Sequence, residues 1–423
     1  MMPFVNLTAQ REAYREELET AERAVLDSGC YIGGPEVAAL EKELADYCNS
    51  GNSDAGSDGA KPGKQGFFGG KEKHFTGKDH AEPETRAIAC ASGTDALTIA
   101  LMALGIKPGD EVIVPDFTFI APAECVAFLG GTPRFADIDP ETLLIDPESV
   151  KALIGPKTRG IIAVDLFGQV ADFNELWEIA VANDLWLLED AAQAFGAKYD
   201  IGVPPYSDII TSRACTLATI SITSFYPSKP LGCYGDGGAI FTHDAQLAEK
   251  VRMLANHGSR ERYLHKTVGL NSRLDALQAA ILRVKLRHLE EELKVRRENA
   301  RKYDEFFAEY NAGLRASAGA DISGASAGAK IVPQYIEHGC TSTYAQYTVL
   351  ADDREAFIKK LDKAGIPHCI HYPMPLHEQP CFRGLAQGSE NRNAIMASQK
   401  AVSLPVCAFT DVDFIINKLR SVL

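Results

Sequence analysis

The stretch RAIACASGTDALTIALMALG, residues 86–105, predicts a buried strand, a turn and a helix in direct succession. RAIACA is short and apolar, as the strands of covered sheets are. SGTD at 92–95 forms the turn, after which Leu97 and Leu101 share one helical face and Gly105 ends the helix. This unit is the first of a series, and it indicates an α/β protein.

The same alternation continues towards the C-terminus. Further apolar strands are predicted between helical patterns, at residues 111–115, 132–138, 160–166, 185–190 and 239–242. Strands that alternate with helices form mostly parallel sheets covered by helices. Because ligands of such sheets bind at the carboxyl ends of the strands, the residues that follow each strand are the candidate functional residues.

The pattern changes on both sides of this region, which predicts more than one domain in a chain of 423 residues. Helices broken by glycines precede the alternation, and a long amphipathic helix follows it. A smaller α+β unit with strands at 366–372 and 402–406 ends the chain. The predicted parts are an N-terminal helical segment (1–48), a low-complexity insertion (49–85), a large domain (86–270), a linking helix (271–310) and a small domain (311–423) with an insertion at 313–329.

Composition limits the functional classes. The chain has 43 basic and 57 acidic residues and a net charge of -14, which disfavours binding to nucleic acid. Residues 1–16 lack a secretory apolar region, and no stretch reaches the roughly 18 apolar residues of a membrane span. Ten cysteines without regular spacing suit reduced thiols. We therefore expect a cytoplasmic protein with small-molecule ligands and with no nucleic-acid or membrane partner.

Three positions after predicted strands carry groups that suit one cofactor. The turn at 92–95 opens a helix, where backbone N–H groups and the Thr94 hydroxyl attract a phosphate, although an ordinary Ser or Thr helix cap has the same pattern. Asp190 ends an apolar strand, where its carboxylate needs a cationic partner or caps the next helix. Lys229 lies in SFYPSKPLGCYGDGG (224–238), between prolines and glycines, which is a poor setting for a solvated lysine.

A phosphate site, a carboxylate and an amine together fit pyridoxal phosphate. The phosphate would lie on the helix opened at Thr94, and Asp190 would pair with the pyridine nitrogen. Lys229 would form a Schiff base, which requires the lowered pKa of a partly desolvated amine.

Two rival patterns are weaker. The glycine-rich run at 232–238 lacks the preceding strand and the GK[ST] signature of a nucleotide loop. A group of histidines and cysteines near the C-terminus lacks the spacing of a zinc site, so no metal is expected. Its members are His368, Cys369, His371, His377 and Cys381.

Several long motifs resemble those of the DegT-type nucleotide-sugar aminotransferases. They are CASGTDAL, GDEVIVPDFTFIAP, EDAAQAFGA, SFYPSKPLGCYGDGG and GLNSRLDALQAA. The resemblance covers nearly the whole chain, from PFVNLTAQ near the start to HYPMPLH near the end. Three segments are longer than is usual in the family, and we expect them to be surface insertions: residues 49–85, 201–213 and 313–329.

The resemblance implies a pyridoxal phosphate-dependent transferase of fold type I, with a mostly parallel seven-stranded sheet, helices on both faces and a smaller C-terminal α+β domain. It implies a homodimer with shared active sites, in which Lys229 is the Schiff-base lysine and Asp190 the partner of the ring nitrogen. Gln193 would neighbour the ring hydroxyl, and Phe119 would stack on the ring. The remaining cofactor residues would hold the phosphate, with Asn271 contributed to the neighbouring subunit: they are Gly93, Thr94, Asp95, Ser224 and Asn271.

The resemblance also implies a ping-pong transfer of an amino group from an amino acid, glutamate, to a nucleotide-linked keto-sugar. The motifs around Asn271 are most similar to those of enzymes that aminate a UDP-linked 3-keto-N-acetylhexuronic acid for surface polysaccharides. Arg273 would bind the sugar carboxylate or form a salt bridge at the helix N-terminus, and His371 and Tyr372 would face the sugar. The alternatives are amination of a 4-keto-6-deoxy sugar, a sugar dehydratase, whose family members replace the lysine that this chain keeps, and a non-catalytic regulator.

Overall fold

The computed structural model describes residues 2–50, 84–202, 209–320, 329–385 and 390–423. The described helices are α1 (Leu7–Ala13), α2 (Arg15–Ser28), α3 (Gly34–Asn49), α4 (Gly93–Leu104), α5 (Ala121–Phe128), α6 (Pro147–Leu153), α7 (Phe173–Ala182), α8 (Ala245–Leu254), α9 (Ala276–Ala320), α10 (Arg354–Ala364), α11 (Arg392–Lys400) and α12 (Val412–Val422). The described strands are β1 (Arg86–Cys90), β2 (Glu111–Pro115), β3 (Thr132–Ala136), β4 (Thr158–Val164), β5 (Trp186–Asp190), β6 (Lys198–Gly202), β7 (Ile209–Arg213), β8 (Ile220–Ser224), β9 (Gly238–Thr242), β10 (Ser259–Glu261), β11 (Leu264–His265), β12 (Ile331–Pro333), β13 (Cys340–Thr341), β14 (Tyr347–Ala351) and β15 (Ala401–Leu404).

The main sheet has seven strands in the order β1-β9-β8-β5-β4-β2-β3. Neighbouring strands from β8 to β3 pair in parallel, whereas β9 is antiparallel to both β1 and β8. The mostly parallel seven-stranded sheet and the α/β fold class are therefore confirmed. The five strands predicted after the first unit lie within two residues of their observed ends.

Helices cover both faces of this sheet, which explains why its strands are apolar throughout. On β4, Ile161 packs into a core formed with α3, α6, α7 and α9, while Ile162 packs into a second core formed with α4, α5 and α8. Successive residues of a strand point to opposite faces, so a doubly covered strand needs a continuous apolar run.

The parallel strands bring the functional motifs to one edge of the sheet. β1, β5 and β8 run in the same direction, because β1 and β8 are both antiparallel to β9, and β8 is parallel to β5. The turn at 92–95 follows β1, and Asp190 and Ser224 are the last residues of β5 and β8. Residues that are far apart in the sequence thus meet where parallel sheets bind their ligands.

The N-terminal segment is helical, and its predicted break at 29–35 is confirmed. Gly29 ends α2 with a φ of 67°, a left-handed conformation that glycine adopts readily. α1 starts at Leu7 behind an Asn6 cap and lies within the predicted helical segment. Of the predicted insertion at 49–85, residues 51–83 lie outside the described part of the chain.

The C-terminal region contains a three-stranded sheet, β12-β14-β15, which packs with α10, α12 and the end of α9 around a separate hydrophobic core. The predicted strand at 402–406 corresponds to β15. The predicted strand at 366–372 is wrong. Only Cys369 pairs with β15, through Ser403, because Pro367 and the residue after this segment, Pro373, have no N–H to donate.

The linking helix is longer than predicted. α9 has 45 residues and passes the expected end at 310, because the alanine-rich start of the supposed insertion at 313–329 favours helix. Residues 321–328 lie outside the described part. Within 201–213, β7 returns antiparallel to β6, and residues 203–208 are likewise not described. The division of the chain into domains stays a prediction.

Of the helices within the described ranges, none is both long and apolar enough to cross a membrane.

Candidate active site

Lys229 lies in a tight turn directly after β8. Its backbone N–H donates to the Tyr226 carbonyl at 2.9 Å, and its side chain is half-buried. Burial lowers the pKa of the Lys229 amine, and the nearby carboxylate of Asp190 opposes that shift. The amine is therefore easier to deprotonate than a surface lysine, as the sequence led us to expect.

Asp190 is the acid whose charge acts on this amine. The residue is only 5% exposed, and its Oδ1 accepts a hydrogen bond of 3.0 Å from the Ala192 N–H. Burial raises the pKa of the carboxyl to about 6, against the opposing effects of that N–H and of Lys229. Asp190 thus caps a turn and not a helix, and the charge of Lys229 acts on it, while its role as partner of a ring nitrogen stays a prediction.

The turn at 92–95 opens α4 beside Ser224. The Ser92 hydroxyl accepts a hydrogen bond of 3.0 Å from the Asp95 N–H, so Ser92 is the helix cap. The first N–H groups of a helix have no partner within the helix, which leaves those of Gly93 and Thr94 at the open end. Thr94 is exposed and Asp95 half-buried there. This end of α4 can accept a phosphate.

Gly93 leaves no space for a larger residue. A Cβ at this position would lie 2.7 Å from the Ser224 Cβ and 3.3 Å from its Cα. Replacing Gly93 with alanine is therefore expected to push Ser224 out of the phosphate site and to weaken pyridoxal phosphate binding about 10- to 100-fold. Titration of the apoprotein, followed by visible absorbance, measures the change.

Gly155→Ala is the matched control, because a Cβ there meets no atom within 4 Å. It should bind the cofactor as the wild type does. Equal affinities for Gly93→Ala and Gly155→Ala would show that the contact between α4 and Ser224 does not shape the phosphate site.

Tyr372 brings together two of the residues predicted around the cofactor ring. Its hydroxyl lies 3.4 Å from Nε2 of Gln193, and its ring lies 6.2 Å from that of Phe119. The Gln193 Oε1 accepts a hydrogen bond of 2.7 Å from the Phe167 N–H, which fixes the amide. Phe119 is 53% exposed, so its face is open to a ligand. The predicted sugar residue and the predicted ring residues therefore line one site.

His371 faces the same amine. Burial and the charge of Lys229 lower the pKa of His371 to about 4, so its ring is neutral near pH 7. Its Nδ1 lies 3.0 Å from the Ser403 hydroxyl, and the Phe4 ring contacts it edge-on at 6.1 Å. Ser403 and Phe4 were not predicted to belong to the site. The only sequence signal was the presence of Phe4 in a motif that carried the resemblance.

Asn271 and Arg273 lie apart from these side chains. Both are exposed, and they flank the fully buried Ser272, whose hydroxyl accepts a hydrogen bond of 3.1 Å from the Ala91 N–H. The described residues include no acidic partner within 4 Å of Arg273, so the alternative of a helix salt bridge has no support here. The contribution of Asn271 to the cofactor of a second copy of the chain stays a prediction.

The C-terminal histidines and cysteines are dispersed. His377 bonds to Asp116, and His368 lies 3.9 Å from Asp362. Within the described ranges, no group of three or more His, Cys, Asp or Glu side chains could hold a metal ion.

The assembled residues fit pyridoxal phosphate. Asp190 provides a buried carboxylate for a ring nitrogen, Lys229 an amine of lowered pKa, and α4 an N-terminus whose first N–H groups have no partner within the helix. Such an arrangement can hold an anionic aromatic aldehyde and move protons beside it.

Comparison with known proteins agrees with this chemistry. Residues 71–420 match the DegT/DnrJ/EryC1/StrS aminotransferase family. The UDP-2-acetamido-2-deoxy-3-oxo-D-glucuronate aminotransferase of Pseudomonas aeruginosa is 42% identical over 411 residues, which cover 97% of this chain and 96% of that protein.

Two solved structures share the fold over nearly the whole chain. A DegT DnrJ EryC1 StrS aminotransferase from Brucella abortus is 34% identical with a TM-score of 0.81, and the match covers 100% of this chain and 99% of that one. DesV of S. venezuelae, solved in complex with a ketimine intermediate, is 35% identical with a TM-score of 0.79, covering 99% and 97%.

Proposed function

The chain belongs to the DegT/DnrJ/EryC1/StrS aminotransferase family, and we propose that it transfers an amino group from glutamate to a UDP-linked 3-keto-N-acetylhexuronic acid. It is a transaminase of nucleotide sugars, and its cofactor is pyridoxal 5'-phosphate. The observation that carries the proposal is the position of Asp190 at the end of β5 and of Lys229 after β8, at the carboxyl edge of the sheet, where the charge of each acts on the pKa of the other.

Each residue of the site has a role in this reaction. When bound, pyridoxal phosphate supplies an aldehyde that accepts the amine and a ring that takes up electrons from the broken C–H bond. Lys229 would hold the cofactor through its amine, and the same amine, once free, would act as the base and acid that moves a proton beside the donor carbon. Asp190 would hold the ring nitrogen through its buried carboxylate and balance a positive charge there. Gln193 and Phe119 orient the ring.

The transfer has two halves that use the same groups. The donor leaves as a keto acid before the sugar enters, which is ping-pong kinetics. In the second half Lys229 moves the proton in the opposite direction. His371, neutral near pH 7 because its pKa is about 4, can then contact the sugar without repelling the protonated Lys229.

The choice of a uronic acid substrate is supported by a relative and by a residue. The P. aeruginosa relative is named for a UDP-linked 3-oxo-glucuronate. Arg273 is exposed, and the residue before it, Ser272, accepts a hydrogen bond from Ala91, which precedes the turn at 92–95. The planar guanidinium of Arg273 can bind a carboxylate through two hydrogen bonds. Surface polysaccharide or lipopolysaccharide synthesis in the cytoplasm is the proposed setting.

A homodimer with shared sites is part of the proposal. Asn271 and Arg273 are exposed, and so is 82% of Tyr263 in the hairpin of β10 and β11. A second copy of the chain that covered this surface could receive Asn271 at its cofactor phosphate.

The test is to incubate the holoenzyme with glutamate and a panel of nucleotide keto-sugars and to follow 2-oxoglutarate. Turnover of the UDP-keto-uronate alone supports the proposal. Preference for a 4-keto-6-deoxy sugar would overturn the substrate while keeping the reaction, and binding of sugar without any turnover would favour a regulator.

Replacing Arg273 with glutamine should raise KM for the uronate about 10- to 100-fold, because a charged hydrogen-bonded pair with the sugar carboxylate is lost. The matching sugar with an uncharged group in place of the carboxylate should show an unchanged KM. Arg392→Gln, which alters a side chain that is 82% exposed, serves as the control. An equal rise in KM for both sugars would show that Arg273 does not read the carboxylate.

A further inference from the structure

Two carboxyl groups are completely buried beside Asp190. Asp165 directly follows β4 and Glu189 immediately precedes Asp190 on β5, and both side chains are 0% exposed. β4 and β5 pair in parallel, with Val164 opposite Asp190. The Asp165 N–H donates a hydrogen bond of 3.0 Å to the Asp190 carbonyl, and Glu189 is the residue before Asp190. Both acids are therefore linked directly to the residue that is proposed to hold the cofactor ring.

Hydrogen-bond donors are divided unequally between the two acids. Glu189 accepts from the Cys215 N–H at 2.8 Å, and its other oxygen accepts from the Leu217 N–H at 3.2 Å and the Ser221 hydroxyl at 2.6 Å. Asp165 accepts only from the Ala171 N–H, at 3.0 Å, and no donor reaches its Oδ2. The surroundings of Glu189 therefore stabilise a charge, and those of Asp165 do not.

Two adjacent buried carboxylates cannot both remain ionised at low cost, so one of them keeps a proton. Burial and the neighbouring charge of Glu189 raise the pKa of Asp165 well above its usual range. Burial raises the pKa of Glu189 as well, but the three donors around its carboxyl, the Ser221 hydroxyl first, oppose that rise. The proton is thus expected on Asp165.

We propose that Asp165 stays protonated at neutral pH and donates a hydrogen bond to ionised Glu189, so that the pair holds one negative charge beside Asp190 and acts as a positioning pair for the cofactor ring. This rests on the proposed role of Asp190. One fixed negative charge increases the proton affinity of a ring nitrogen bound to Asp190 and keeps that nitrogen protonated. A second charge would also raise the pKa of Asp190 and weaken its ionised form.

The other titratable groups that act on the pair are two thiols, Cys215 and Cys340, and the carboxyl of Asp190. Burial raises the pKa of Cys215 well above its usual range and that of Cys340 to about 12, so neither thiol contributes a charge near neutral pH. Asp190 is the remaining acid that acts on Asp165, and Lys229 balances Asp190.

The direct test is an infrared comparison of the apoprotein with Asp165→Asn, using isotope-labelled aspartate. The asparagine amide can donate to Glu189 and accept from the Ala171 N–H, so the fold is expected to persist. The wild type should show the carbonyl band of a protonated, buried aspartic acid at neutral pH, and the variant should lack it. Absence of that band from the wild type would overturn the proposal, whether or not the chain is a transaminase.

The second test is a pH titration of the visible band of the holoenzyme. Asp165→Asn should keep the midpoint within about half a unit of the wild type, and Glu189→Gln, which removes the charge, should lower it by about one unit. Ser221→Ala, which removes one donor from Glu189, should lower it in the same direction if Glu189→Gln fails to fold. Glu178→Gln, at an exposed position of α7, is the control.

A shift of one unit or more in Asp165→Asn would show that Asp165 is charged in the wild type. An unchanged midpoint in Glu189→Gln, or in Ser221→Ala if that variant is needed, would show that the pair does not act on the ring. Either result overturns the proposal. If the infrared band is present and the visible titration fails, Asp165 is protonated but the pair does not position the ring, so the proposal is overturned; the rate of Asp190→Asn tests the proposed role of Asp190 separately.

Discussion

Replacing Lys229 with alanine is expected to lower the rate of amino transfer by about 10⁴-fold or more, because covalent attachment of the cofactor and proton transfer are lost together. The formation of 2-oxoglutarate from glutamate measures the rate. The visible band that depends on the imine should also disappear from the purified variant. Lys229→Arg, which keeps the charge but not the nucleophilic amine, should be equally inactive.

Lys285 provides the matched control for this prediction. It is a second buried lysine of lowered pKa, about 8, and its Nζ donates to the Gly232 carbonyl at 2.7 Å. It does not share the Asp190 carboxylate, so Lys285→Met is expected to retain the visible band. Reductive trapping that located the cofactor on Lys285, or on any peptide without Lys229, would contradict the assignment.

Replacing Asp190 with asparagine is expected to lower the rate about 10²- to 10³-fold, since a buried charged partner of the ring is removed while the shape is kept. The loss should appear in kcat more than in KM for the sugar, because Asp190 acts on the ring and not on the sugar. Stopped-flow measurement of the first half-reaction with glutamate isolates the effect.

The same carboxylate predicts a pH dependence of cofactor binding. The pKa of Asp190 is about 6 before the cofactor binds, and only the ionised form balances a protonated ring nitrogen. Affinity should therefore be full above pH 6 and fall as the pH is lowered through that value. His371, with a pKa of about 4, does not titrate in this range. Persistence of the same midpoint in Asp190→Asn would assign it to another group.

The main sheet could be predicted because its strands carry two independent signals. Strands such as β4 are apolar on both faces, and turn residues such as those at 92–95 separate them from helices. The strand predicted at 366–372 does not form, because Pro367 has no N–H for strand pairing. The alternation of apolar residues carries no information about that missing N–H. The end of α9 was misplaced because alanines were interpreted as low complexity and not as helix formers.

The candidate site could be predicted only in part. Lys229 and Asp190 can be recognised from a few neighbouring residues. A lysine between prolines and an acid at the end of an apolar strand are both unusual. Ser403 and Phe4 contact His371 across more than thirty and more than three hundred residues of sequence, and neither has a local signal. Asp165 was included in a predicted strand, and its burial beside Glu189 follows only from the pairing of β4 with β5.

The 45 residues of α9 form one helix of about 68 Å, at the usual rise per residue. Leu289 and Leu293 belong to the core of the main sheet, while Tyr303 and Phe307 belong to the core of the C-terminal sheet. Because both cores share one uninterrupted helix, the C-terminal sheet cannot rotate freely against the main sheet unless α9 bends or its contacts break. Heat should accordingly unfold both cores in a single calorimetric peak. The exchange of the amino donor for the sugar should need movements of loops and side chains only.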